Sequence, residues 1–300
     1  MHVNLISKTI YTHFNKLSQT KVKSLIKRAV IIDETDTVSK VINKISKKNV
    51  YDAFYWDGKN IQATSIRVLL AGKDISDMKI TPFLYTVQSL SENDPIQKAA
   101  DIINNYRLRS VPVIQNKKII GAVYAKDLLK LMATKDNQWI KANLLQTQNP
   151  ITISSKKPLS SARKLLISKR IDHLPVIHND AVKQVLTSYH VLQALNPHEN
   201  LGRYSMGMEK IRNLESEIGN IGSTRIPQCS PDDTLNGIIN VLLKTDTSCC
   251  LVILWDNLQG IITYRDILGL LAVKLESEIP LYVVGMPIEQ KNVDLITNKS

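Results

Sequence analysis

The sequence predicts an α/β (α+β) fold made of four tandem repeats paired into two compact modules, and two observations carry that prediction. A hydroxyl-bearing residue recurs between a short apolar run and a helix-like one at Thr64, Tyr124, Thr187 and Thr263, at intervals of 60, 63 and 76 residues. Upstream of each lies a second apolar run, at 53–56, 111–114, 174–177 and 251–254. Self-similarity at a near-fixed period marks a repeat architecture, in which each unit is too small to bury its own apolar face and packs on its neighbours.

Each element of the repeat has a local cause. A polar start comes first: Asp36-Thr37-Val38, Asn93-Asp94-Pro95, Lys157-Pro158-Leu159 and Ser230-Pro231-Asp232-Asp233-Thr234. These place hydroxyls, carboxylates or proline where a helix has orphan N–H groups and a positive dipole end. A helix follows, clearest at Ile96, Ala99, Ala100 and Ile103, whose 3, 4 spacing builds one apolar face. Two apolar strands then flank a turn, as around Asn116-Lys117-Lys118, and a second helix closes the unit. The unit therefore reads strand, helix, strand, strand, helix.

The helix-entry segments are the most informative. The fourth copy reads Gly260-Ile261-Ile262-Thr263-Tyr264-Arg265-Asp266 and the second Gly121-Ala122-Val123-Tyr124-Ala125-Lys126-Asp127. The third, around Thr187, ends on His190 where the others have Asp, and the first, around Thr64, ends on Arg67. A carboxylate three residues after a hydroxyl at a helix start accepts hydrogen bonds from the two vicinal hydroxyls of a ribose, while the hydroxyl and nearby N–H groups meet a phosphate. Neither His190 nor Arg67 accepts two hydroxyl donors, so those two clefts are expected to be empty or altered. Arg67 is read instead as reaching a neighbouring ligand's phosphate.

On these segments, with the Val111-Pro112-Val113 and Leu174-Pro175-Val176 strands before them, residues 27 to 272 resemble cystathionine beta-synthase (CBS) domains, which pair in twos through their sheets. The four-repeat arrangement is similar to that of the AMP-activated kinase gamma subunit and of stand-alone archaeal proteins. The resemblance implies paired modules at 27–135 and 136–275; the residues themselves add a basic N-terminal arm at 1–26, a bridging segment at 196–222 and an extension at 276–300. The resemblance also implies adenosine ligands, AMP, ADP, ATP or S-adenosylmethionine, in the clefts, with no cofactor required. Carried across, the fourth repeat offers Thr263 and Asp266, with Gln228 in the slot where the family often has Thr. The second offers Ser89, Tyr124 and Asp127, and the third Thr152 and Thr187. The first copy departs from the pattern by lacking both the Pro and the Asp. Cations beside the clefts, Arg107, Arg109, Lys126, Lys169, Arg170 and Arg265, fit an anionic ligand, whereas His173 reads as a strand-edge polar residue.

Composition narrows the class. Three cysteines, Cys229, Cys249 and Cys250, cannot build a disulfide framework and read as small core residues of a reduced, cytoplasmic protein. No apolar run approaches the roughly 20 residues of a membrane span. Gly-rich phosphate loops, metal-ligand spacings and a nucleophile beside a base are all missing, so no enzyme is expected. The formal charge of +12 is concentrated at the start: residues 1–28 hold Lys8, Lys16, Lys21, Lys23, Lys27 and Arg28 with no acid. The polar stretch 209–218 reads as a helix bridging the halves and 279–285 as an apolar strand outside the repeats. The leading reading is a nucleotide-sensing regulator acting on a protein effector or on a second copy of itself. The rival is a basic scaffold in which the leader anchors RNA or a ribosomal particle.

Overall fold

A computed structural model describes residues 2–72, 78–195 and 214–272, with side chains from residue 9 onward. The extension at 276–300, the strand read at 279–285 and most of the bridging segment lie outside the described residues.

The chain opens with α1 (His2–Ser18). The first repeat then contributes α2 (Val38–Lys47), the hairpin β1 (Asp52–Trp56) and β2 (Ile61–Ser65), and a one-turn α3 (Ile66–Leu69). The second adds β3 (Tyr85–Val87), α4 (Ile96–Tyr106), β4 (Ser110–Gln115), β5 (Lys118–Tyr124) and α5 (Ala125–Met132). The third holds β6 (Thr147–Gln148), β7 (Ile153–Ser154), α6 (Leu159–Ser168), β8 (His173–His178), β9 (Ala181–Thr187) and α7 (Ser188–Leu195). The fourth has β10 (Gln228–Cys229), α8 (Leu235–Thr245), β11 (Cys249–Leu254), β12 (Asn257–Thr263) and α9 (Tyr264–Leu268).

Sequence chemistry places these boundaries. Thr37 and Thr234 cap α2 and α8 by accepting the N–H of Lys40 and Gly237. The first or second residue after each long helix is left-handed, at Asn49, Arg107, Arg170 and Asp246, so the chain turns sharply into each first hairpin strand. Three hairpins close on paired left-handed residues, Asn116-Lys117, Asn179-Asp180 and Trp255-Asp256, the conformation that matches strand twist.

The segment leading into each repeat crosses to a neighbouring repeat. β3 pairs antiparallel with β2 of the first repeat, and Lys27 forms an antiparallel bridge with Ala122 on β5 of the second. Likewise β6 pairs with β12, and Ser223 bridges Val185 on β9. Repeats one and two thus exchange leading segments, as do three and four. The helices make the other contacts: α3 packs on α6 and α7, and α5 on α8 and α9. One core accordingly joins the second and fourth repeats around Leu128, Ile239 and Ile267, and another joins the first and third around Ile42, Leu69, Leu166 and Leu192.

Gly121 tests the exchange. A Cβ there would lie 2.5 Å from the Lys27 carbonyl oxygen and 2.6 Å from Ile26 Cγ2. Gly121→Ala is expected to push the leading segment off β5 and cost about 1–3 kcal/mol, as overpacking does. An unchanged thermal midpoint would mean that this segment does not hold the pair together.

Two expectations need correction. The basic leader is not a free arm, because α1 buries Phe14 and Ile10 in the core shared with the second repeat, leaving Lys16, Lys21 and Lys23 exposed. The side chain of Lys8 lies outside the described residues. The stretch 214–218, read as the end of a bridging helix, is a turn and an extended bridge. Ile218 N–H donates to the Lys157 carbonyl, and Glu217 bridges Pro158, so this stretch lies along the third repeat.

Candidate functional site

The clefts are assembled from three recurring positions. The first is the entry to each first hairpin strand, where the third residue after the left-handed one is Asp52, Ser110, His173 or Cys249 and the second is Tyr51, Arg109, Asp172 or Ser248. These latter four meet between the repeats. Tyr51 Oη donates to Asp172, the Arg109 guanidinium lies 3.9 Å from the Tyr51 ring centroid, and Ser248 Oγ is 2.7 Å from Nε2 of His173. Arg67 completes the cluster through Asp172 at 3.2 Å. Burial foremost, and then Arg109, pushes His173 down to about 3, so it is neutral and structural at ordinary pH.

The second position is the last residue of the second strand. Strand register corrects one assignment: Asp52 pairs with Ser65, as His173 pairs with Thr187 and Cys249 with Thr263. Ser65, the residue before α3, is therefore the first repeat's equivalent of Tyr124, Thr187 and Thr263, and Thr64 is one place early. The carboxylate position in that repeat falls on Val68. Arg67 corresponds instead to Lys126 and Arg265, and its ion pair with Asp172 gives it a structural partner.

At the carboxylate position the remaining three repeats differ. Asp266 Oδ2 accepts from both the N–H and the Oγ1–H of Thr263 at 2.7 Å, a reciprocal cap that leaves Oδ1 uncommitted among the described residues. His190 reproduces the cap in the third repeat: its Nδ1 lies 3.1 Å from Thr187 N and 2.9 Å from Thr187 Oγ1. Because the backbone N–H must donate, Nδ1 is unprotonated, and burial lowers the imidazole pKa in keeping. Asp127 is held by Lys27 Nζ at 2.6 Å and by Lys130 Nζ at 3.4 Å. Tyr124 Oη donates to the Arg28 carbonyl at 2.8 Å.

The third position is the crossed leading segment. It brings Thr147 and Asn149 to Asp266, and Ser223 and Arg225 to His190, in each case lining the same cavity. Gln228, Ser89 and Thr152, placed in this role from the sequence, sit next to or within the short parallel ladders before each repeat's first helix and line neither of the two cavities described here. In the third and fourth repeats the cavity-lining residues of the leading segment, Thr147 and Ser223, lie five places upstream of Thr152 and Gln228.

Two cavities among the described residues are lined by these positions. One of about 310 Å³ is lined by Thr263, Asp266, Thr147 and Asn149 together with Arg107, Arg109, Lys169, Arg265 and Asp172. Burial lowers the Arg107 pKa first, followed by repulsion from Arg265, Arg67 and Arg170, the mark of cations gathered without enough anions. The larger, about 680 Å³, runs from Asp127 and Tyr124 in the second repeat to Thr187 and His190 in the third. In the first repeat the buried hydroxyl of Tyr85 lies near the buried and unpartnered Ser65 Oγ.

The three cysteines are buried and free. Among the described residues no group of three or more His, Cys, Asp or Glu side chains could hold a metal, and no helix is long and apolar enough to cross a membrane.

Comparison with known proteins matches this architecture. Protein MJ1225 from Methanocaldococcus jannaschii, proposed as an archaeal homologue of γ-AMPK, shares the fold with a TM-score of 0.71 over 83% of this chain and 99% of its own, at 14% identity. An uncharacterized conserved protein from Pyrococcus horikoshii gives a TM-score of 0.56 over 84% and 100%, at 18% identity. Among curated sequences, inosine-5'-monophosphate dehydrogenase of Korarchaeum cryptofilum is 25% identical over 91 residues, which is 30% of this chain and 18% of that protein. The CBS domain-containing protein CBSCBSPB1 of Arabidopsis thaliana is 21% identical over 182 residues, 51% of this chain and 34% of its own length. The chain thus spans at most about a third of these two relatives. The CBS domain model matches residues 75–134, 142–197 and 218–273. With more than half of its length matched, in three of the repeats seen in the fold, the chain belongs to the CBS domain family.

Proposed function

We propose that the protein is a non-catalytic regulator in which modules 27–135 and 136–275 enclose an adenosine ligand, AMP, ADP, ATP or S-adenosylmethionine, and present a ligand-dependent face to an effector protein or a second copy. The observation that supports this most directly is the 310 Å³ cavity, whose lining joins the uncommitted carboxylate oxygen of Asp266 to four cations, Arg107, Arg109, Lys169 and Arg265. A carboxylate for the ribose diol and guanidinium groups for phosphate match the two polar parts of a nucleotide. Occupancy alters the output only as far as the ligand prefers one arrangement of the modules over another.

Calorimetry of the full chain against AMP, ADP, ATP and S-adenosylmethionine tests the reading. Asp266→Asn, which keeps an acceptor for the Thr263 cap, is expected to weaken binding about tenfold or more, the effect of losing hydrogen bonds to a charged group. His190→Ala is expected to leave binding in the smaller cavity unchanged. Equal losses from both substitutions would overturn the assignment.

The RNA or ribosomal reading is supported by the exposed lysines Lys16, Lys21 and Lys23 on a leader fixed to the body. Reversing these three charges is expected to abolish any strongly salt-dependent RNA binding. Unchanged RNA retention would discard the leader as an anchor.

A further inference from the structure

The larger cavity differs from the smaller in a way that specifies another ligand chemistry. Of its two places where a carboxylate would engage a ribose, one is neutralised by two lysines and the other holds no carboxylate. At one end Lys27 and Lys130 converge on Oδ1 of Asp127, whose side chain is only 9% exposed. At the other, His190 uses Nδ1 to cap Thr187. Between and around these ends the cavity is lined by five cations, Lys27, Arg109, Lys126, Lys130 and Arg225, against two carboxylates, Asp127 and Asp246. The formal excess is three positive charges, in a partly enclosed space where charge is screened less than on an open face.

The cations come from separate parts of the fold. Lys27 arrives on the leading segment bridged to β5, Lys126 and Lys130 on α5, Arg109 from the entry to β4, and Arg225 on the segment that bridges β9. They therefore reach the cavity from both modules rather than from one patch. A single phosphate occupies only one part of such a set. A chain of phosphates, each carrying negative charge, extends along it.

We propose that this cavity recognises a linear oligophosphate of three or more units, either as free tripolyphosphate or as the tail of a nucleoside triphosphate, with Lys27 as the residue that exchanges Asp127 for the ligand. The inference rests on the reading that the clefts of this chain bind phosphorylated ligands. It goes beyond that reading by assigning the two cavities different selectivities: the smaller one by ribose, the larger one by phosphate number. Lys27 is suited to the exchange because its side chain is 55% exposed while its partner carboxylate is buried. It can swing from Asp127 to an incoming oxyanion without unpacking the core. The ion pair is also a threshold, since a ligand with little charge cannot compete with a buried carboxylate for the same ammonium.

Calorimetry of the full chain with AMP, ATP and inorganic tripolyphosphate as probes tests this. Tripolyphosphate is expected to bind, and ATP to bind more tightly than AMP. Lys27→Met should lower the tripolyphosphate affinity about tenfold or more, the scale of one lost charge-assisted contact. Asp127→Asn should raise it, because it frees Lys27 and removes a negative charge from the cavity. Lys23→Met, on the same leader but outside the cavity, should leave it unchanged. Opposite signs for Lys27→Met and Asp127→Asn also exclude misfolding, which would weaken binding in both. The idea is overturned by absence of tripolyphosphate binding to the wild type, by a Lys27→Met effect no larger than that of Lys23→Met, or by losses in both cavity variants. If AMP still binds in an Asp266-dependent way under those outcomes, only this inference fails. If tripolyphosphate binds through Lys27 while AMP binding is absent, the adenosine reading fails and this one stands. ATP and tripolyphosphate titrated against each other then separate the sources: competition with equal affinity assigns the phosphate chain alone, and a tighter ATP assigns a nucleotide tail.

Discussion

Asp172→Ala is expected to remove about 3–5 kcal/mol of stability, the cost of leaving a buried cation without its partner, out of a total of about 5–15 kcal/mol for an ordinary domain. Arg67 and Asp172 are only 11% and 13% exposed and lie 3.2 Å apart. Tyr51 donates to Oδ1, and Ser188 Oγ stands 3.3 Å from the same oxygen. Burial opposes ionisation of Asp172, but Arg109 and then Arg67 outweigh it and hold the carboxyl below its usual range. A depressed carboxylate stabilises above its unfolded pKa, so this contribution is lost as pH falls through the native value. The residues come from the first, second and third repeats, so the loss falls where the modules meet rather than within one unit. Urea unfolding of the variant measures the cost. The double change Asp172→Leu with Arg67→Met should recover most of it, because an apolar pair carries no desolvation penalty. A single-variant loss below about 1 kcal/mol would place the pair with exposed ion pairs and remove it from the frame of the molecule.

That cluster also shows where reading the sequence stops. The repeat itself was legible because its elements have local causes: Thr37 and Thr234 cap helices, Asn116-Lys117 turns a hairpin, and Thr263 with Asp266 is a cap whose two residues are three apart. Tyr51, Arg109, Asp172 and Ser248 occupy one structural position in four repeats and share no chemistry, so no motif announces them. The crossed leading segments were invisible for a different reason. A two-residue ladder such as Thr147–Gln148 against β12 has no hydrophobic period to detect. The slip from Ser65 to Thr64 arose because two hydroxyl residues are adjacent and no Asp follows to set the phase. The grip of Lys27 on Asp127 spans 100 residues and depends on that same crossing.

Asp52→Asn is expected to stabilise the protein by about 4 kcal/mol at pH 8 relative to its effect at pH 4. Asp52 is 1% exposed at the start of β1. Its Oδ2 accepts the N–H groups of Arg109 and Ser110 at 2.8 Å and the Ser110 hydroxyl at 3.0 Å, whereas Oδ1 is buried with no partner. Burial pushes the carboxyl up to about 7 despite those three donors. Ser65, directly across the strand pair, likewise has a buried and unpartnered Oγ. The native pKa lies above the unfolded value near 3.9, and the folded state therefore holds the proton more tightly. The resulting stability is complete below about pH 4, declines by roughly 1.4 kcal/mol per unit, and is gone once pH has risen through 7. Neutral His173 slopes the opposite way: its native value near 3 makes stability rise with pH up to its unfolded value near 6.5, which masks Asp52 in the wild-type curve. Asp36, held at about 2 by Lys40 and Lys44 against its burial, acts only below the window. The difference between wild type and Asp52→Asn isolates the one group, because asparagine keeps an acceptor for Arg109 and Ser110 and puts a permanent donor in place of Oδ1. Denaturant midpoints of the two proteins from pH 4 to 8 should coincide at the acid end and separate steadily, with the variant the more stable. A difference that does not change with pH would mean that Asp52 stays ionised in the fold and that Oδ1 has found a donor.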